Sequence, residues 1–445
     1  MSDFSHHKQL DTIDCGLSCL RIASKYYGKI KVCNICVGSR KALIKLLCKR
    51  IDHLKLFYFA VSCFLLIPLL ISCESQKNDV FVIDPLEFSN DKYTLSTIAD
   101  DVSYIPLDNQ VPIGLVYSFI HNNNGIFIST KESGLLHFDN RGNFLKVLAR
   151  KGNGPDEYHY GLVFAMDDEN KNIYLVDRNE IKVYQLNGRF IRSFSTKDFF
   201  DGPARDITFF NSSIFLADYG EGGTFKYNWV ITDTLGNSLS YKYSNVKDPG
   251  FLFRGNAYKI GDKLCYYNWL NDTIFSISPD FSFKPGYLFA QGDFRYPENI
   301  ELNELIADKK MKTFFGPLSM FETTHFVFLR YAFRDNNASI LMINKKNKET
   351  YQGYVENYGA CIENDFDSGL HFMSDAYQFY YYIDEHDREY ILTLIHPFEL
   401  KAHVDSEAFK NSTPKHPEKK KELEQLANRL NENDNPVLML VKLKE

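Results

Sequence analysis

The chain has 445 residues, 44% of them hydrophobic, 24% charged and 15% aromatic, with 37 Phe and 28 Tyr. That balance excludes a disordered chain and a multi-span membrane protein, and the aromatic load favours strands over a helical bundle. Charge is divided unevenly: residues 1–55 hold eleven Lys/Arg against four Asp/Glu, leaving 40 against 53 in the rest, and this acidic surplus argues against nucleic acid as a partner.

Seven of the nine cysteines (Cys15, Cys19, Cys33, Cys36, Cys48, Cys63 and Cys73) lie in the first 73 residues. The larger part of the chain is therefore not a disulfide scaffold. Within residues 1–48 runs Lys8-Gln9-Leu10-Asp11-Thr12-Ile13-Asp14-Cys15-Gly16-Leu17-Ser18-Cys19-Leu20-Arg21, followed by Ala23 and Lys25-Tyr26-Tyr27-Gly28. A cysteine opening a helix has its thiolate favoured by the helix N-terminus, and a Gln six positions earlier can donate to an oxyanion. Gly28 suits the end of that helix. This segment resembles the start of the papain-like leader peptidases fused to bacteriocin exporters. The resemblance implies Cys15 as nucleophile and Gln9 as oxyanion-hole donor, and it stops after about 30 residues. The His and Asp partners such an enzyme requires would come from a later β-rich half, and here an apolar segment intervenes. His325, in Thr324-His325-Phe326-Val327-Phe328-Leu329, is a superficial substitute placed beyond that segment and reads as a strand histidine. Cys33-x-x-Cys36 has no second pair, so no metal is expected. Residues 1–48 read as a truncated, inactive peptidase-like fragment.

Residues 49–73 form the next unit. Leu56–Ile71 is sixteen residues without a charge, preceded by Lys49, Arg50 and Lys55. That is short for a membrane span and suits a signal-peptide core. It closes on Leu70-Ile71-Ser72-Cys73, which resembles the lipobox of bacterial lipoproteins and implies a diacylglycerol on Cys73; the alternative is a buried helix or a signal anchor in which Cys73 is incidental. The polar Glu74-Ser75-Gln76-Lys77-Asn78-Asp79 follows as a tether. Some 48 residues precede the basic flank, and no Met occurs between Met1 and Met166. Translation starting near residues 46–54 and a fusion with an internal signal both remain open, and the basic flank stays cytoplasmic in either case.

Residues 74–445 carry a repeat. Ile126–Ser129, Leu135–Asp139 and Gly142–Leu145 are echoed by Ile173–Asp177, Ile181–Gln185 and Gly188–Ile191, then by Ile214–Asp218, Trp229–Asp233 and Gly236–Leu239. The turn glycines are 46 and 48 residues apart. Each sits in an Asp/Gln-x-x-Gly turn that needs positive φ. A period in the forties with short alternating strands is the mark of a β-propeller blade. Three weaker copies follow: Leu264–Asn268 with Asn271–Phe275, Phe326–Leu329 with Ile340–Ile343, and Leu370–Met373 with Phe379–Ile383. The fold expected is all-β, a six-bladed propeller with a short helical N-terminal piece, an apolar signal or anchor helix and one amphipathic helix near the C-terminus. That last helix is placed over Lys415–Asn433 on the spacing of Leu423, Leu426 and Leu430. Val437–Leu443 is a strand able to lock the ring.

Val102–Leu107, Lys151–Tyr158, Asn271–Ile274 and Asp434–Leu438 resemble segments of the six-bladed β-propeller lipoproteins. The resemblance implies attachment to the cell envelope, the propeller lying outside the cytoplasm on the periplasmic side or at the outer membrane. It also implies a role in ligand or partner binding; no catalysis is expected, and glycan, peptide and protein are all open as the ligand. The alternatives are a leader-peptide cysteine peptidase and a glycan-acting propeller enzyme. Arg150 and Glu157, in the loop Arg150–Tyr158, are the ligand-binding candidates, against the plainer reading of an interblade turn shaped by Gly152, Gly154 and Pro155. Asp167–Asn172 lacks calcium-loop spacing and reads as a solvated hairpin. Tyr266–Trp269 and Phe379–Tyr382 are aromatic clusters suited to stacking on sugars or to filling the spaces between blades. No cofactor motif is present. If residues 1–48 are inactive, the whole chain will leave a double-glycine leader peptide uncut and Cys15→Ala will change nothing; Cys15-dependent cleavage, followed by mass spectrometry, would reverse the reading.

Overall fold

A computed structural model of the chain describes residues 80–218, 226–244, 255–295, 313–334, 338–356, 359–373 and 380–444. The peptidase-like fragment with Gln9 and Cys15, the apolar run and Cys73 lie outside the described residues, as does Phe379. Among the described residues no helix is long and apolar enough to cross a membrane.

Six sheets form the six blades. Blade 1 comprises Val116–Asn122, Gly125–Thr130, Leu135–Phe138 and Phe144–Ala149. Blade 2 comprises Gly161–Asp167, Asn172–Asp177, Glu180–Gln185 and Phe190–Ser195. Blades 3, 4 and 5 begin with Asp206–Phe210, Gly255–Ile260 and Gly316–Glu322 and end with Ser238–Tyr243, Phe283–Phe289 and Thr350–Gln352. Each of these five is an antiparallel meander. The first strands of successive blades lie against one another and face the axis.

Side-chain alternation builds the ring. In blade 1, Ile126 and Ile128 pack with Leu438 and Leu440 of blade 6, while Phe127 packs with Phe164 and Leu175 of blade 2. In blade 3, Ile214 and Leu216 face blade 2, and Phe215 and Ala217 face blade 4. A strand buried on both faces must find a neighbour on each side, and every one of these side chains is buried. The repeat turns take the expected shape: Gly142, Gly188 and Gly236 have φ of +85°, +94° and +96°. A Cβ at Gly142 would stand 2.3 Å from the carbonyl oxygen of Pro106.

The sixth blade differs from the sequence reading. Its strands are Tyr380–Ile383, Glu389–Ile395, Val437–Leu443 and, outermost, Ala99–Pro106 from the N-terminal side. Leu370–Met373 is not part of it; Phe372–Met373 pairs with Gly359–Ile362, and with Tyr354–Glu356 these make a separate three-stranded sheet. Short apolar runs specify a strand but not its partner, which is why the two were joined. Val437–Leu443 does lock the ring, with Pro106↔Val437, Ile105↔Leu438 and onward to Asp101↔Lys442 in register, then a bulge before Ala99↔Leu443. Asn435 latches the seam. Its amide nitrogen donates to the carbonyls of Asp108 (2.7 Å) and Val111 (2.8 Å), and its oxygen accepts from Ile113 N (2.7 Å).

Four helices occur among the described residues where one was expected, because Leu95–Ile98, Pro397–Asp405 and Glu407–Asn411 are too short to carry a periodic signature. The fourth is Pro417–Arg429, shorter than 415–433: Pro417 sets its first turn, and Leu430 is already extended. Leu423 and Ala427 are its buried stripe, joining Leu400, Val404, Phe409 and Phe366 beside the small sheet.

The N-terminal segment wraps the outside. Phe81–Ile83 adds in parallel to Tyr287–Phe289 at the edge of blade 4, Lys92 and Thr94 bridge to Gln352 and Glu363, and the chain then enters blade 6. Asn435 is only 6% exposed, so Asn435→Ala strands buried groups and should cost roughly 1–3 kcal/mol. Leu145→Ala, on an exposed side chain, should stay within about 0.5 kcal/mol. Urea denaturation of both variants checks the pair.

Candidate functional site

The first strands of the blades leave a cavity of about 620 Å³ on the axis, lined from all six blades. Its wall between blades 1 and 6 is aromatic. Phe119 stacks on Tyr380 with ring centroids 3.6 Å apart, and His121 lies against Tyr382 at 4.3 Å. The Tyr382 hydroxyl donates to Asn123 Oδ1 (2.8 Å). Alternation along Val116–Asn122 places Phe119 and His121 on the same side of the strand as each other.

His121 is 9% exposed. Burial pushes its pKa down to about 4, against a smaller opposing effect of its hydrogen bond to Asn140. Its Nε2 is 3.1 Å from Asn140 Oδ1, which places the proton on Nε2. The buried Nδ1 has no partner among the described residues. The ring is thus a neutral element of the wall.

Two charged side chains border the same end of the cavity. Asp168 follows the first strand of blade 2, and Lys259 is the penultimate residue of the first strand of blade 4. Both remain open to channel water. The Asp168 carboxylate accepts from the side-chain amides of Asn122 (2.6 Å) and Asn124 (3.1 Å). Surrounding protein raises its pKa by desolvation, with the Asn124 bond and then Lys259 acting in the other direction. Desolvation lowers the Lys259 pKa, and the charge of Asp168 opposes that. Among the described residues the Lys259 side chain makes no hydrogen bond, and the two charges do not form an ion pair. At the opposite end Asp206 is engaged, accepting from Ala257 N (2.6 Å).

A second polar cluster is closed. Glu322, 3% exposed, accepts from the hydroxyls of Tyr258 and Tyr287 (2.8 Å each) and pairs with Lys345 (2.7 Å). Burial and then the neighbouring Glu322 push the Cys265 thiol up to about 12, so it stays protonated and unreactive. The cluster joins blades 4 and 5, and every acceptor faces protein. Among the described residues no group of three or more His, Cys, Asp or Glu is placed to hold a metal.

The sequence-derived candidates fall elsewhere. Arg150 is exposed, and Glu157 folds onto its own loop, accepting from Gly154 N (2.9 Å); neither lines the cavity. The loop is pinned beneath by Asp177, which accepts from the backbone of His159 and Tyr160. His325 is exposed in a turn before Phe326–Ala332 rather than in the strand. Tyr266 and Tyr267 are fully buried between blades, whereas Tyr380, Tyr381 and Tyr382 line the cavity. Asp167 caps its hairpin through Asn170, and the adjacent Asp168 is the one that reaches the channel. His121, Lys259 and Asn122 carry no local motif that would single them out.

Residues 80–442 match the family model described as Domain of unknown function (DUF4934). No curated protein matches the sequence significantly. Among solved structures, a protein of Bacteroides fragilis NCTC 9343 whose name describes it as exported is similar at 18% identity and a TM-score of 0.60, over 82% of this chain and 100% of its own. A member of the DUF4221 family from Bacteroides vulgatus ATCC 8482 is similar at 10% identity and a TM-score of 0.44, over 78% of this chain and 97% of its own.

Because His121 resists protonation in the fold and accepts it when unfolded, the unfolded chain binds more protons between about pH 6.5 and 4. Stability from this group is full above pH 6.5, declines as pH falls to about 4, and the loss is on the order of 3 kcal/mol. Urea midpoints measured across that range should flatten in His121→Phe relative to the unaltered chain.

Proposed function

The chain belongs to the DUF4934 family, whose description assigns no activity, and we propose that it is a lipid-anchored binding module of the cell envelope that holds a small ligand in its axial channel. The observation that carries this reading is the cavity itself. Its volume, about 620 Å³, lies in the range of sites that enclose small molecules. Its lining combines aromatic faces with a few polar groups, the mix that gives both affinity and orientation. A propeller built only for rigidity has no need of a lysine, Lys259, facing its axial channel with no side-chain hydrogen bond among the described residues. The export stated in the name of the B. fragilis protein of similar fold accords with an extracytoplasmic location. The lipobox-like Leu70-Ile71-Ser72-Cys73 supports attachment through Cys73. Glycans and peptides are both ligand classes that this aromatic, polar lining suits.

Two measurements test the two halves of the proposal. Mass spectrometry of the protein from its native host should find a diacylglyceryl group on Cys73, absent in Cys73→Ser; an unmodified Cys73 within an intact upstream chain would remove the anchor. Thermal-shift screening with neutral oligosaccharides and short peptides should find ligands whose affinity falls roughly tenfold in Tyr382→Ala and is unchanged in Tyr243→Ala, an exposed outer-strand residue. Failure of every probe, or binding indifferent to Tyr382, would overturn the channel as the site.

A further inference from the structure

Resting on the channel as the binding site, we infer that its ligand is a small zwitterion, an amino acid or short peptide whose ammonium group meets Asp168 and whose carboxylate meets Lys259. The charges at this end of the channel are the reason. Asp168 and Lys259 come from blades 2 and 4, both at the ends of strands that run the same way along the axis. Both line the same cavity, and among the described residues they are not joined as an ion pair, so the space there is bounded by one negative and one positive group. His121 adds no charge, being neutral at physiological pH.

A ligand with only a negative group gains at Lys259 and is repelled by Asp168; one with only a positive group meets the reverse. A ligand carrying both satisfies each. Asp168 is also positioned to receive a cation. Asn122 and Asn124 hold its carboxylate from one side (2.6 and 3.1 Å), and Asn124 is itself held by Lys171 Nζ (2.6 Å). A carboxylate fixed by two amides keeps acceptor capacity for a further donor. Lys259 is the opposite case, a flexible point charge with all three of its donors available. The remaining wall, Phe119 on Tyr380 and His121 against Tyr382, offers aromatic faces to an apolar or aromatic side chain.

The test uses the full chain with the dipeptide Phe-Phe, its N-acetyl form, its C-terminal amide and the neutral trisaccharide maltotriose, by isothermal titration calorimetry. Phe-Phe should bind, and blocking either end should weaken it at least tenfold. Asp168→Asn should abolish the difference between free and acetylated amine and leave the carboxylate effect intact. Lys259→Met should do the converse. Because the two blocked peptides probe each end without altering the protein, misfolding of a variant does not leave the question open. Equal binding of all three peptides, or preference for maltotriose unaffected by Lys259→Met, would overturn the zwitterion reading while leaving the channel as the site. Binding of none of the four overturns it as well; the wider channel reading then falls only if the broader ligand screen also fails.

Discussion

Every blade of this protein is a sheet with two apolar faces, and that single constraint governs the rest. Ile126 and Phe127 are neighbours in one strand, yet they belong to different interblade cores. Neither core exists unless a blade stands on each side. A linear stack would leave its first and last faces in water, and a closed circle leaves none. Closure then demands a seam, and the seam draws its strands from both sides of the sequence: Ala99–Pro106 and Val437–Leu443. Asn435 completes the join by serving three backbone groups of the Asp108–Ile113 segment, among them the buried Ile113 N–H.

Closure also creates the site. Six inner strands arranged around an axis cannot all fill the centre, and the space they leave takes its character from whichever side chains point inward. Here those are aromatic between blades 1 and 6 and charged at the ends of the first strands of blades 2 and 4. The second and third strands of the blades give mainly apolar, buried residues to the interblade cores, whereas the first strands line the channel, and some of their residues, such as Phe119 and Tyr380, serve both.

That division explains what the sequence reveals. The second and third strands of blades 1 to 3, buried on both faces and joined by a turn in which Gly142, Gly188 or Gly236 has positive φ, stand out as a repeat. The inner strands do not. Val116–Asn122 and Asp206–Phe210 border a water-accessible cavity, which relaxes the hydrophobic alternation that would have marked them. The site is harder still to read, because His121, Asp168, Lys259 and Tyr382 come from four blades and meet only through ring closure. Arg150 and Glu157 attract notice for the opposite reason: the glycines and proline around them are conspicuous, and what those residues specify is a turn. The sixth blade is misread because a long helical insertion separates Glu389–Ile395 from Val437–Leu443, so sequence adjacency gives way to pairing across the seam.

The strap formed by residues 81–94 has a mechanical consequence. Tension arriving along the chain from upstream meets the three parallel rungs between Phe81–Ile83 and Tyr287–Phe289 first, then the isolated bridges of Lys92 and Thr94, and only afterwards the long antiparallel ladder of Ala99–Pro106. Parallel pairs hold less firmly per residue than antiparallel ones. Each residue released from the strap frees about 3.3 Å of chain. Along the chain the strap is thus the outermost and weakest hold, and the seam ladder the innermost and firmest.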